Sequence, residues 1–173
     1  LLGLALLAPF LTLIWILLLF IHKSNPIFFQ TRVGQYGAFF TVYKFKTLKA
    51  DGSPHSLLKL LRKTKVDEFP QLFNVLKGDM SLVGPRPDIP GYYDLLEGGD
   101  RKLLKLKPGV TGFASLKFSN EEELLKQQED PLAYNDQVIF PEKVKLNLYY
   151  YENVSLLLDL KILLKTVLLP FST

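Results

Sequence analysis

The residues best suited to chemistry stand in one short run, Val66-Asp67-Glu68-Phe69-Pro70-Gln71-Leu72-Phe73-Asn74. Its two adjacent carboxylates fall at the start of an expected helix, because Pro70 is tolerated only in a first turn. In that place carboxylates can simply complement the helix dipole, with Asp67 as N-cap. The neighbourhood offers more. From Lys44 to Lys65 the chain carries seven basic residues against one acidic residue, Asp51, and acidic groups in a basic field stay ionised. An ionised carboxylate can act as a nucleophile or bind a hard cation. A second candidate follows at Gly84-Pro85-Arg86-Pro87. An arginine held between Pro85 and Pro87 loses little entropy on engaging a phosphate, and its fork suits bidentate contact. The plain alternative is an exposed arginine in a stiff loop. Only four of the 21 basic residues are Arg, however, and one of them is placed here.

These residues need a scaffold, and the chain divides into an apolar part and a charged part. Residues 1–22 contain no Lys, Arg, Asp or Glu, so every such charge lies in 23–173. The division predicts a membrane-embedded segment over 1–22 and a globular domain over 23–173. A straight helix over Leu1–Ile21 would be about 31 Å long, enough to span a bilayer. Pro9 opposes a straight helix, since it removes one donor and clashes with the Ala5 carbonyl. A break at Ala8-Pro9 would return the segment to the face it entered, with His22 and Lys23 as a cytoplasmic flank. The re-entrant path is favoured, because an unpaired carbonyl in hydrocarbon costs several kcal/mol. The sequence opens on Leu rather than Met, so further N-terminal residues are expected. The absence of Cys excludes disulfides, Cys–Zn sites and thiol nucleophiles. A net charge of +4 gives mild attraction to phosphate and acidic lipid. No nucleic-acid motif accompanies it, so nucleic acid is not an expected partner.

Along the charged part, Ile27–Val33 and Phe39–Lys46 flank Gly34-Gln35-Tyr36-Gly37 and predict a β-hairpin. Leu57, Leu58, Leu60 and Leu61 alternate with Lys59, Arg62 and Lys63 as a basic amphipathic helix. A helix is expected from Asp67 to Leu76, stopped by Gly78, then a rigid loop over 77–91 and a short helix over Asp88–Leu96. Ser119-Asn120-Glu121-Glu122 reads as a capping box opening a helix to Gln128. Helices over Pro141–Glu152 and Ser155–Leu169 close the chain. The last is core or lies at a membrane interface. The class is α+β, mostly helical: a re-entrant membrane helix, then a small domain with a short β-hairpin and an interfacial amphipathic helix. On these observations alone the protein handles a phosphate-containing substrate, which a lipid could be, at a bilayer surface.

The run from Asp67 to Pro87, DEFPQLFNVLKGDMSLVGPRP, closely resembles the bacterial sugar transferases, the monotopic phosphoglycosyl transferases. Other segments agree in order. Asn25–Gly34 is similar to the family's P-x-F-x-Q-x-R-x-G stretch, and Tyr43–Leu48 to its K-F-R-T-M element. Lys107–Gly112 resembles its R-P-G-I-T-G turn, and Leu158–Ile162 its L-D-L-K-I. The resemblance implies transfer of a phosphosugar from a nucleoside diphosphate sugar, usually a UDP-sugar, to a polyprenol phosphate such as undecaprenyl phosphate. UMP is released and Mg²⁺ is required. It implies Asp67 as the nucleophile that forms a covalent phosphosugar intermediate, and Glu68 as the Mg²⁺ ligand, with Asp67 as a second candidate ligand. Arg86 and Arg62 become phosphate-handling candidates. Arg32, Lys46, Pro85 and Pro87 join them as substrate-binding candidates from the matching motifs. It also implies a place in the bacterial inner membrane, monotopic, with the catalytic domain facing the cytoplasm and bilayer lipid as a partner. The oligomeric state is open, a homodimer included. Three departures stand out: Ala8-Pro9 replaces Ser-Pro at the bend, Lys46 and Leu48 replace Arg and Met, and Gly112-Phe113-Ala114-Ser115 replaces G-L-A-Q. Residues 119–145 look like a subfamily insertion. The alternative function is a non-catalytic, membrane-anchored module that binds phosphate or lipid. That reading gives Asp67 no task.

Overall fold

The computed structural model describes residues 2–49 and 51–169, with the side chains of the first helix given from Leu7 onward. Elements run in the order α1 (Leu2–His22), β1 (Ile27–Val33), β2 (Phe39–Phe45), α2 (Ser56–Lys63), α3 (Gln71–Lys77) and β3 (Ser81–Val83). They continue with β4 (Gly109–Thr111), α4 (Phe113–Lys117), α5 (Glu121–Lys126), α6 (Pro131–Tyr134), α7 (Phe140–Asn153) and α8 (Leu156–Leu168). The mostly helical α+β class follows from this order. The strands form two separate two-stranded sheets, β1 with β2 and β3 with β4. The chain folds as two compact units. One comprises Leu1–Thr31 and Phe40–Met80, the other Arg32–Phe39 and Ser81–Thr173.

In the first unit, α1 turns one stripe inward. Leu11, Ile14 and Leu18 are buried with Phe45, Leu58 and Leu61, and Leu7 and Ile21 pack at the margins of the same cluster. This spacing is one face of a helix. Phe10, Leu13, Trp15, Leu17 and Phe20 point the other way and are exposed. The helix continues through Ala8 and Pro9 rather than ending there, and the Thr12 hydroxyl donates to the Ala8 carbonyl at 2.8 Å. Among the described residues no helix is long and apolar enough to cross a membrane. The expected amphipathic helix forms as α2, burying Leu58 and Leu61 and exposing Lys59, Arg62 and Lys63.

In the second unit, β3 and β4 pair in parallel, Ser81 with Gly109 and Val83 with Thr111. The approach leaves no room for side chains. A Cβ on Gly109 would run into the backbone of Gly84 and Thr111, and a Cβ on Gly84 would meet the Lys107 carbonyl and the Gly109 amide. The glycines of the Lys107–Gly112 turn are therefore architectural. Around this pair, Val83, Tyr150 and Ile162 form one buried cluster, and Val33, Tyr93, Leu103, Leu104 and Val144 form another.

Two local expectations are corrected. The helix over Asp88–Leu96 is only a 3₁₀ turn at Tyr93–Leu95, because the backbone leaves the helical region at Gly91, φ 104°. The helix opened by a Ser119 capping box instead starts one step later, with Asn120 as N-cap and no side-chain cap bond. Glu121 and Glu122 are taken by Lys143 and Lys126, at 2.7 and 2.9 Å.

Candidate active site

Asp67 and Glu68 lie in the first unit on a single 3₁₀ turn, Val66–Glu68, and α3 begins after it at Gln71. The turn is set by Lys65, which follows the end of α2 in the left-handed conformation at φ 58°, ψ 15°. For a residue with a Cβ this costs about 1–3 kcal/mol. Both carboxylates are 8% exposed. Glu68 Oε1 accepts from Lys44 Nζ at 3.0 Å. Asp67 Oδ1 is buried and has no hydrogen-bond partner. Burial, and next the neighbouring Glu68, raise the Asp67 carboxyl from 3.8 to about 6, while Lys44 and Lys65 pull it the other way. The basic field expected to hold Asp67 ionised is thus outweighed by desolvation. The group still carries its charge at neutral pH.

Asn74 braces this arrangement from beneath. It is fully buried, donates to the Thr41 carbonyl at 2.7 Å and accepts from the Tyr43 amide at 3.2 Å. It thereby ties α3 to the strand that carries Lys44. Lys44 and Asn74 are the residues that motif reading left unassigned. Their signals were a lysine inside an aromatic and β-branched strand, and an asparagine among the apolar residues of a short helix. Of the remaining candidates in this unit, Arg62 is exposed on α2. Lys46 is half-buried, and its carbonyl accepts from His22 Nε2 at 3.0 Å.

Magnesium takes hard oxygen ligands, commonly one or two carboxylates with water and substrate phosphate. Two adjacent buried carboxylates, one oxygen of which lacks a partner, fit that need. No group of three or more His, Asp or Glu poised to hold a metal occurs among the described residues.

In the second unit Pro85 and Pro87 are buried and Arg86 is half-buried between them. Pro85 O accepts from the Gly109 amide at 2.7 Å. Arg32 Nη1 donates to Pro87 O at 3.3 Å and lies 3.9 Å from Asp88 Oδ1. Arg32 therefore faces the proline–arginine loop itself. Burial raises the Asp88 carboxyl above the usual range, opposed by Lys143 and Arg32.

The sequence matches the bacterial sugar transferase family over residues 1–173. It is 38% identical to an uncharacterized sugar transferase of Bacillus subtilis (strain 168), EpsL, over 83% of this chain and 69% of that protein. It is 34% identical to the UDP-glucose:undecaprenyl-phosphate glucose-1-phosphate transferase of Klebsiella pneumoniae, over 97% of this chain and 37% of that protein. Against the UDP-N-acetylgalactosamine-undecaprenyl-phosphate N-acetylgalactosaminephosphotransferase of Aeromonas hydrophila it is 31% identical, over 85% of this chain and 36% of that one. It thus spans little more than a third of these two longer relatives. The chain belongs to the bacterial sugar transferase family and is a transferase of that class.

Proposed function

We propose that the chain transfers a phosphosugar from a nucleoside diphosphate sugar, in the first instance a UDP-sugar, to a polyprenol phosphate such as undecaprenyl phosphate. The carrying observation is the buried Asp67–Glu68 pair, with Glu68 engaged by Lys44 and Asp67 Oδ1 left without a partner. The activities for which several relatives are named, on undecaprenyl phosphate, support the same reading.

Asp67 attacks the phosphorus that bears the sugar. A P–O bond forms to the carboxylate, the bond to the bridging oxygen of the diphosphate breaks, and UMP departs with that oxygen and its electron pair. A phosphate oxygen of the polyprenol phosphate then attacks the same phosphorus, and Asp67 leaves as carboxylate. Partial desolvation suits the attacking group: it stays ionised at neutral pH but is less stabilised by water than a surface carboxylate. Glu68, with Asp67 as a second candidate ligand, would hold Mg²⁺, which would supply charge neutralisation for the diphosphate. Lys44 holds Glu68 in place. Arg86, with Arg62 as a further candidate, binds phosphate.

In this reading α1 lies as a shallow wedge, bent at Pro9, in the cytoplasmic leaflet of the bacterial inner membrane. Its exposed Phe10, Leu13, Trp15, Leu17 and Phe20 then face lipid. The reaction is the first membrane step of glycoconjugate assembly. A module that only bound phosphate would leave the cost of a buried, unpartnered carboxylate without a purpose.

Mass spectrometry of the protein incubated with UDP-sugar alone is expected to show a phosphosugar adduct on Asp67. Asp67→Asn is expected to show neither adduct nor turnover. An adduct on another residue, or turnover by that variant, would refute the assignment.

A further inference from the structure

Within the second unit, the segment that carries Arg86 is fastened along its length by groups that no motif singles out for the task. Before Arg86, Tyr150 packs against Val83 and places its hydroxyl 3.4 Å from the Val83 carbonyl oxygen. After it, Arg32 donates to Pro87 O, and the Val33 amide donates to Asp88 O at 2.9 Å. Further on, Asn147 Nδ2 donates to Tyr93 Oη at 2.7 Å, with both residues buried. Lys143, 8% exposed, donates to Glu121 Oε1 at 2.7 Å. Lys143, Asn147 and Tyr150 are spaced four and three apart, so they share one face of α7. A buried Lys and a buried Asn on the inner face of a helix are costly choices for stability alone, since apolar residues of similar volume usually serve as well or better. Together these polar anchors surround a loop whose middle residue is a half-buried arginine.

We propose that Arg32 is a positioning residue for Arg86, fixing the Pro85–Asp88 segment so that the guanidinium meets phosphate in one place. It acts on transfer through Arg86. The proposal rests on the reading of Arg86 as a phosphate ligand given above.

The test is steady-state UMP release by the full chain in membranes, with undecaprenyl phosphate and whichever of UDP-glucose, UDP-galactose and UDP-N-acetylgalactosamine supports turnover. Arg32→Lys keeps the charge and loses the fork, and Arg32→Gln keeps a donor and loses the charge. Each is made alone and on an Arg86→Lys background. Each single variant is expected to keep a wild-type melting transition while kcat falls about tenfold. On the Arg86→Lys background neither is expected to slow the reaction further, because residues that act as one unit are non-additive. Wild-type kcat in both folded single variants would overturn the proposal, and so would losses that multiply with that of Arg86→Lys. Where one variant loses the fold, the other carries the same test. An Arg86→Lys enzyme with wild-type rates would remove the reading of Arg86, and the proposal with it. Absence of turnover with every sugar would instead remove the proposed activity.

Discussion

Asp67 carries opposing demands in one side chain. Burial, and then Glu68, hold its carboxyl at about 6 rather than 3.8, so the folded protein binds this proton more tightly than the unfolded chain. The stability this contributes is complete below about pH 4 and is lost as pH rises through about 6. Asp67→Asn keeps the shape without the charge and escapes that loss. In EDTA, the variant is expected to match the wild type near pH 4. Above pH 7 it should exceed it by on the order of 2 kcal/mol while doing no chemistry. Urea unfolding at the two pH values reads the difference. An equal gain at both would remove burial as its cause. Glu68 poses a separate question, because its carboxylate is shared between Lys44, at 3.0 Å, and the proposed metal. EDTA is expected to stop UMP release and added Mg²⁺ to restore it. Glu68→Gln should raise the Mg²⁺ requirement about tenfold or more. Full activity in EDTA would take the metal out of the mechanism.

Among the elements, the parallel pair of β3 and β4 bears the tightest constraint, since Gly84 and Gly109 meet backbone to backbone. Gly109→Ala must push two main chains apart, and is expected to cost about 3 kcal/mol or more. In a chain of this size that lowers Tm by roughly 6–12 °C. Gly99→Ala, where an added Cβ meets nothing, should stay within about 0.5 kcal/mol. A thermal melt of both variants decides whether the approach is as close as described. This pair was invisible in the sequence for a physical reason. Three-residue strands have no periodicity to read, and their partners lie far apart in the chain, Ser81 against Gly109. The hairpin, α2, α7 and α8 were legible because each carries several turns or pleats of apolar pattern over 7–14 residues. At Asp88–Leu96 the local pattern suggested a helix, but the backbone breaks at Gly91 and leaves only the turn at Tyr93–Leu95. Tyr93 is buried and hydrogen-bonded to Asn147. The site divides in the same way. The carboxylate pair and the Pro85–Pro87 loop are local motifs and could be read directly. The Lys44–Glu68 ion pair and the Arg32 bond to Pro87 join residues 24 and 55 apart in the chain, and only folding brings them together.

For the molecule as a whole, the orientation of α1 decides how a membrane-bound substrate would be reached, and the packing of the first unit constrains it. The inward stripe of α1 runs from Leu7 to Ile21 and shares its core with Leu57, Leu58 and Leu61 of α2. An α1 that crossed the bilayer would carry α2 into hydrocarbon with it. The opposite face of α2 exposes Lys59, Arg62 and Lys63, and each such charge costs about 2.5–3.5 kcal/mol at the bilayer centre. An α1 lying in one leaflet avoids the penalty. In the proposed placement its outward Phe10, Leu13, Trp15, Leu17 and Phe20 would enter the acyl region and the α2 charges would stay at headgroup level. The chain lacks Cys, so single probes at Gly3 and Ser24 can report on it cleanly. Both are expected to resist an impermeant thiol reagent applied to intact cells, and to react once the cytoplasmic face is opened. Labelling of the Gly3 probe from outside would show that α1 spans the membrane. The core shared by α1 and α2 would then have to come apart for it to do so.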